Sequence, residues 1–174
     1  MDSTSASQHG LALVEAAVVL AIATLALTSA TPGLQRLIEQ RRLDAAASVL
    51  AADLQLARNE SIARNRVVRV VWVATQGCYL LHTGPAGSCR CEARGDADCD
   101  AGSTLVRSVA SSSGVTLHGN ASSIAFDPVH GTATPAATWR VTGRDGRAVH
   151  HVVNVMGRVR SCSPAAAVPG YPAC

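Results

Sequence analysis

The sequence predicts an α+β domain in which one long N-terminal helix lies on antiparallel β-strands. Three observations carry that expectation: an apolar run from Leu11 to Leu34, a helical pattern that continues from it to Asn65, and a succession of short β-branched segments thereafter. The 174 residues suffice for one domain with a genuine core and hardly for two.

The first segment reads LALVEAAVVLAIATLALTSATPGL, with Glu15 its only charged residue. A run this long and apolar can cross a bilayer as one helix. A carboxylate inside it is costly, so Glu15 requires a partner. Pro32 and Gly33 mark a bend at the membrane exit, and Arg36, Arg41 and Arg42 follow on that side. Beyond the bend Leu34, Ile38, Ala45, Val49, Ala52, Leu56 and Ala63 recur at helical spacing, which predicts one face laid on a sheet. Arg41, Arg42, Asp44, Asp53, Arg58 and Glu60 fall largely off that stripe and are expected in solvent.

After Asn65 the segments VVRVVWV (67–73), CYLL (78–81), LVRSV (105–109), VTL (115–117), IAF (124–126), TWRVT (138–142) and VVNV (152–155) read as strands. Gly114, Gly131 and Asp145-Gly146 are the turn formers between them. The organisation is therefore a membrane-spanning segment over 11–34, its amphipathic continuation over 35–65, and a β-rich globular domain over 66–174.

Composition excludes several classes. Charged residues make up 16% of the chain, with 15 basic and 12 acidic side chains, too few for a disordered polyelectrolyte or a histone-like coat. All the basic residues are arginine, which excludes Schiff-base chemistry and leaves the bidentate guanidinium as the cationic recognition group. Six cysteines, at 78, 89, 91, 99, 162 and 174, point to an oxidising compartment. Cys162 and Cys174 flank a tail without helix or strand pattern and are natural partners; the pairing among Cys78, Cys89, Cys91 and Cys99 stays open. Cys89 and Cys91 enclose a single residue with no second matching pair, which does not fit a zinc site.

No enzyme constellation is present, and no cofactor or metal is expected. His150 and His151 are adjacent on a strand and point to opposite faces, while His82, His118 and His130 are scattered and read as surface or turn residues. Gly-x-Ser-x-Gly, P-loop and His-Glu-x-x-His signatures are missing. Glu92, Asp96, Asp98 and Asp100 lack the spacing of a calcium loop.

The informative charges lie between residues 138 and 162, where Arg140, Arg144, Arg147, Arg158 and Arg160 face a single acid, Asp145. If 157–162 is extended, Arg158 and Arg160 leave the same face about 6.6 Å apart. Two guanidinium forks at that distance suit successive phosphates. Gly157 permits a bend, and the 143–147 turn adds Arg144 and Arg147 to the surface.

Gly10 before the apolar run, Glu15 at the fifth position after it, and Pro32 along the helix together resemble the class III leader of type IV pilins and pseudopilins. The segments LQLARNESIARNRVVRV (54–70), FDPVHGTATP (126–135) and GRVRSC (157–162) resemble the FimT/GspH branch of that family. The resemblance implies a pilin-like fold and a leader over 1–10. A prepilin peptidase would cut between Gly10 and Leu11 and methylate the new amine, and Glu15 would compensate a neighbouring subunit's N-terminal amine in the filament. It further implies a single-pass inner-membrane protein with a periplasmic domain, incorporated with other pilins into a pilus or pseudopilus. In FimT-type minor pilins that act in natural transformation a Gly-Arg-x-Arg motif contacts DNA, and Gly157-Arg158-Val159-Arg160 matches it; with few aromatics nearby, such binding is expected to be phosphate-dominated and sequence-independent. The alternative within the same branch is a GspH-like pseudopilin of a type II secretion system, or a pilus-priming subunit, with a purely structural role. Leu11 replaces the family's usual phenylalanine, and no lysine or arginine precedes Gly10.

Intact-mass spectrometry of the membrane-extracted protein is expected to find an N-terminus at Leu11. A chain that still begins at Met1 would refute the leader assignment.

Overall fold

The computed structural model describes residues 9–92 and 95–174. Helix α1 spans His9–Arg64 and is helical through Pro32 and Gly33 without interruption. Most of the leader, residues 1–8, lies outside the described residues; Gly10 and Leu11 fall in the first turn of α1. The chain divides into two compact units, one ending at Ile38 and the other running from Glu39 to Cys174.

In the first unit the apolar side chains of Leu13, Val14, Val18, Leu20, Ile22, Leu25 and Leu27 are all exposed, as is Glu15. By length and composition α1 is able to cross a membrane, with an eighteen-residue stretch of mean hydropathy 2.1. The hydroxyls of three threonines are satisfied internally. Thr24 donates to the carbonyls of Leu20 and Ala21, Thr28 to that of Leu25 and Thr31 to that of Leu27, so these hydroxyls need no water.

In the second unit α1 ends in a Schellman motif, as the sequence signals near Asn65 indicate. Asn65 takes a φ of 50°, its N–H donates to Ile62 O at 3.3 Å, and Arg66 N–H donates to Ser61 O at 3.1 Å. Among the described residues the chain then forms eleven strands: β1 (Val68–Val73), β2 (Cys78–Thr83), β3 (Cys89–Cys91), β4 (Ala97–Cys99), β5 (Thr104–Ala110), β6 (Val115–Gly119), β7 (Ser123–Phe126), β8 (Ala133–Thr134), β9 (Ala137–Gly143), β10 (Ala148–Val153) and β11 (Val159–Cys162). They form a five-stranded sheet of order β5-β2-β1-β7-β8, a four-stranded sheet of order β11-β10-β9-β6, and the small β3-β4 hairpin, every pairing antiparallel. The strand expected at 152–155 begins earlier, at Ala148, because Asn154 and the residues after it make the turn into β11.

One core joins the helix to both sheets: Leu43, Leu50 and Leu54 of α1, Val68 and Val70 of β1, Ile124 and Phe126 of β7, Trp139 of β9, and Val149 and Val153 of β10 are all essentially inaccessible. The buried face of α1 is not the expected one. Leu43, Ala47, Leu50, Leu54, Ala57 and Ser61 point inward, whereas Leu34, Ile38, Ala45, Val49, Ala52 and Ala63 are exposed and Leu56 is half-buried. Alanines occur on every side of this helix, so polarity contrast says little about its orientation. The bulk of three leucines on one side decides it, because large side chains gain most from burial.

Asp53 is a second correction. Expected in solvent, it is 1% exposed and held by two partners. Tyr79 Oη donates to Asp53 Oδ2 at 2.7 Å, and Arg107 Nη1 from β5 lies 3.2 Å from Oδ1. Burial raises the carboxyl's pKa above its ordinary value, against the lowering effects of Tyr79 and Arg107.

The cysteine-bearing insert covers the outer face of the five-stranded sheet. Along β2, Tyr79 and Leu81 face the main core, while Cys78 and Leu80 join Cys89 and Cys91 in a second apolar cluster. Disulfides Cys78–Cys91 and Cys89–Cys99 fasten it, and Cys162–Cys174 closes the C-terminal tail onto β11. His82, expected on the surface, is fully buried under this insert, with Nδ1 hydrogen-bonded to Thr83 O at 3.1 Å.

Replacing Leu54 by Ala is expected to cost about 2–5 kcal/mol of unfolding free energy, and Val49→Ala on the opposite side about 1 kcal/mol or less. Urea titration of both variants checks which face of α1 is the core face.

Candidate functional site

The hairpin β10–β11 is closed by residues 154–158. Asn154 holds this turn three ways: its N–H donates to Arg158 O at 3.1 Å, its carbonyl accepts from Gly157 N–H at 2.9 Å, and its side-chain oxygen accepts from Arg158 N–H at 2.9 Å. Gly157 sits at φ 70° with its Cα hydrogens against the turn that follows β7. A Cβ there would come within 2.1 Å of Gly131 O, so no other residue fits without moving the backbone.

Gly131 belongs to a tight loop anchored by Asp127, whose carboxylate accepts from the N–H groups of Val129 at 3.0 Å and His130 at 2.9 Å. Those hydrogen bonds lower the Asp127 pKa. Arg58 of α1 completes the junction, its Nε donating to Gly131 O at 3.0 Å. The three sequence segments that carry the family resemblance thus meet at one point, through Arg58, Gly131 and Gly157.

Beside this junction an open groove of about 420 Å³ runs between α1 and the start of β11. Arg158, Val159 and Arg160 form one wall and Gln55, Arg58 and Asn59 the other. Arg158 and Arg160 are exposed, and neither they nor Arg58 has a carboxylate partner among the described residues. The groove lining holds no acid at all; Glu60, next to Asn59 in the chain, is ion-paired with Arg64. Unpaired guanidinium groups on an open groove attract anions, and planar forks suit phosphate or carboxylate oxygens.

The expected contribution of the 143–147 turn is a different matter. Val152 pairs with Arg160, whereas Ala148 starts β10 just after Arg147, so the turn lies about 17 Å along the strand from the groove. Arg147 Nε donates to Asp145 at 2.6 Å and its Nη1 to Gln40 at 3.5 Å, which spends its charge locally. Arg144 packs over Gly114. Arg140 instead donates to His150 Nε2 at 2.9 Å on the outer face of the same sheet. Of the predicted arginines the fold gathers only Arg158 and Arg160 at the groove. It adds Arg58, for which the sequence held one signal: no acid stands three or four residues away to pair with it, unlike Arg64 with Glu60.

Under β11 lies His151, fully buried, with Nδ1 hydrogen-bonded to Ser161 Oγ at 2.9 Å. Its Nε2 has no hydrogen-bond partner among the described residues. Burial, with a smaller effect of the neighbouring His150, pushes its imidazole down to about 4.

A long N-terminal helix packed on antiparallel sheets is the architecture of pilin-like proteins, and the solved structures agree. The chain is similar to the type IV minor pilin FimU of Pseudomonas aeruginosa, at 18% identity and a TM-score of 0.55 over 76% of this chain and 96% of that one. It is also similar to the minor pseudopilin EpsH of the Vibrio cholerae type 2 secretion system, at 12% identity and a TM-score of 0.53 over 71% and 98%. No curated protein matches the chain. A family model described as Type II transport protein GspH matches residues 46–157, and the chain belongs to that family. It is a minor pilin or pseudopilin, a structural subunit and not an enzyme.

His151 titrates near 6.5 when unfolded and near 4 when folded, so the native state resists its protonation. Stability is therefore full above pH 6.5 and falls as pH drops from 6.5 toward 4, by about 3 kcal/mol from this residue. NMR titration of the imidazole should give the low midpoint, and urea unfolding at several pH values the loss; His82, also lowered by burial, acts in the same direction.

Proposed function

We infer that this chain is a minor pilin of the FimT type, which captures DNA by its phosphate backbone at the groove between α1 and β11. The observation that carries the reading is the pair Arg158 and Arg160, exposed on the groove wall with no acid in its lining. Neutralisation of phosphates releases counterions, so binding is sequence-independent and salt-sensitive. Tyr171 is the nearest aromatic in sequence, and it is held by Asp44 at 3.1 Å, so base stacking contributes little.

In this reading prepilin peptidase cuts after Gly10 and exposes Leu11. The first part of α1 anchors the protein in the inner membrane and then packs among other pilins in the filament, with Glu15 facing a neighbour's terminal amine. The globular domain and its groove project into the periplasm and onto the pilus surface.

A second reading is favoured by the family's own description and by the likeness to EpsH: a pseudopilin of a type II secretion system, or a pilus-priming subunit, whose arginines contact protein. DNA affinity separates the two. The full chain in nonionic detergent is expected to bind duplex DNA, and the Arg158→Ala/Arg160→Ala variant to bind more weakly, with a log-log salt slope shallower by about 2. A wild-type chain that does not bind duplex even at low salt would instead support the assembly role.

A further inference from the structure

We propose that Arg58 of α1 is a third phosphate anchor, and that the groove takes the sugar–phosphate backbone of one nucleic-acid strand, gripped from the helix side as well as from β11. The inference rests on the phosphate-binding reading of Arg158 and Arg160 and extends it across the groove.

Four observations carry it. Arg58 is not a free surface arginine: Nε is fixed on Gly131 O at 3.0 Å, which orients the guanidinium and leaves its terminal nitrogens as unpaired donors. A side chain already ordered loses less entropy on binding an anion than a mobile one. Arg58 lines the same groove of about 420 Å³ as Arg158 and Arg160, and no carboxylate is among the lining residues. The helix wall adds Gln55 and Asn59, both exposed, whose amides can donate to phosphate or sugar oxygens.

The strand wall adds a backbone donor. β11 is the edge of its sheet, and Asn154 N–H bonds to Arg158 O. Antiparallel alternation then turns the N–H of Val159, in the groove lining, to the unpaired side of that edge. Arg158 and Arg160 leave the chain about 6.6 Å apart, comparable to neighbouring phosphates of an extended strand.

Size sets the stoichiometry. A groove of this volume holds the ribbon of one strand and not a whole duplex. A positively charged groove that tracks one backbone is the usual solution for single-strand binding, and it also accepts one strand of a duplex. Single-stranded DNA, free to enter the groove, is therefore held at least as tightly as duplex.

The test uses the full chain in nonionic detergent, a fluorescent twenty-nucleotide oligothymidylate, the same length of duplex, and a neutral-backbone analogue of the oligothymidylate. Arg58→Gln keeps a donor for Gly131 and removes the charge; Asn59→Glu places a carboxylate on the helix wall at an exposed position that makes no side-chain hydrogen bond among the described residues. Expected are binding of the oligothymidylate at least as tight as duplex, no binding of the neutral analogue, and a loss of about three- to tenfold in each variant. For Arg58→Gln the salt slope becomes shallower by about 0.7.

Unchanged affinity in both variants, with Arg158→Ala/Arg160→Ala still impaired, overturns the third anchor and leaves the DNA reading intact. A weakened Arg58→Gln with the wild-type slope overturns it too, since Arg58 would then act only by holding the Gly131–Gly157 junction. Duplex bound well above single strand overturns the one-strand groove. Failure of the wild type to bind any of the probes removes both proposals together.

Discussion

Leu43, Leu50 and Leu54 stand on one side of a helix whose other residues are mostly alanine, polar or charged, and the two sheets close over those three side chains. Burying each contributes roughly 2 kcal/mol, and the contribution is lost if the helix turns by even a third of a revolution. The helix therefore has one rotational setting in the globular unit. Asp53 enforces it further, because at any other rotation a carboxylate would lose Tyr79 and Arg107 and be left near the core unpartnered.

That setting fixes the groove. Arg58 lies one helical turn beyond Leu54 and one before Ser61 and Ile62, so it emerges at the margin of the buried face, next to the turns that carry Gly131 and Gly157. The close approach of these two glycines is sterically exclusive and brings β11 down beside the helix. Three weakly related pieces of sequence become one site because a leucine face decides where the helix points. Four arginines outside it are paired with carboxylates: Arg64 with Glu60, Arg147 with Asp145, Arg90 with Asp100, Arg107 with Asp53. The three arginines of the groove have no such partner among the described residues, although the formal net charge is only +3.

The outer face of the five-stranded sheet follows the same logic of covering apolar surface. Leu80 and Cys78 project away from the main core and would be exposed without the 89–99 hairpin. The hairpin is too small to hold itself there by burial, and two disulfides keep it in place. His82 is carried into this layer by strand alternation alone. Its burial, like that of His151 beneath β11, makes the fold acid-sensitive without any role in chemistry.

Much was legible without coordinates. The apolar run is a local pattern, long and hydrophobic enough to cross a bilayer whatever it packs against. The helix end at Asn65, most of the strand positions and the partnership of Cys162 with Cys174 follow from propensity and short spacing. The Gly157-Arg158-Val159-Arg160 pattern is equally local. Tertiary structure alone decided which helical face is buried, since volume and not polarity discriminates between faces rich in alanine. It also decided that Asp53 and His82 are interior: Tyr79 and Arg107, which hold Asp53, are distant in sequence, and the nearby cysteine insert covers His82 only because it folds back over the sheet. Finally it separated Arg144 and Arg147 from the groove and brought Arg58 into it. Nearness along the chain is a poor guide across a hairpin, whose two ends lie several strand residues apart, and a helix can deliver a side chain to a turn a hundred residues away.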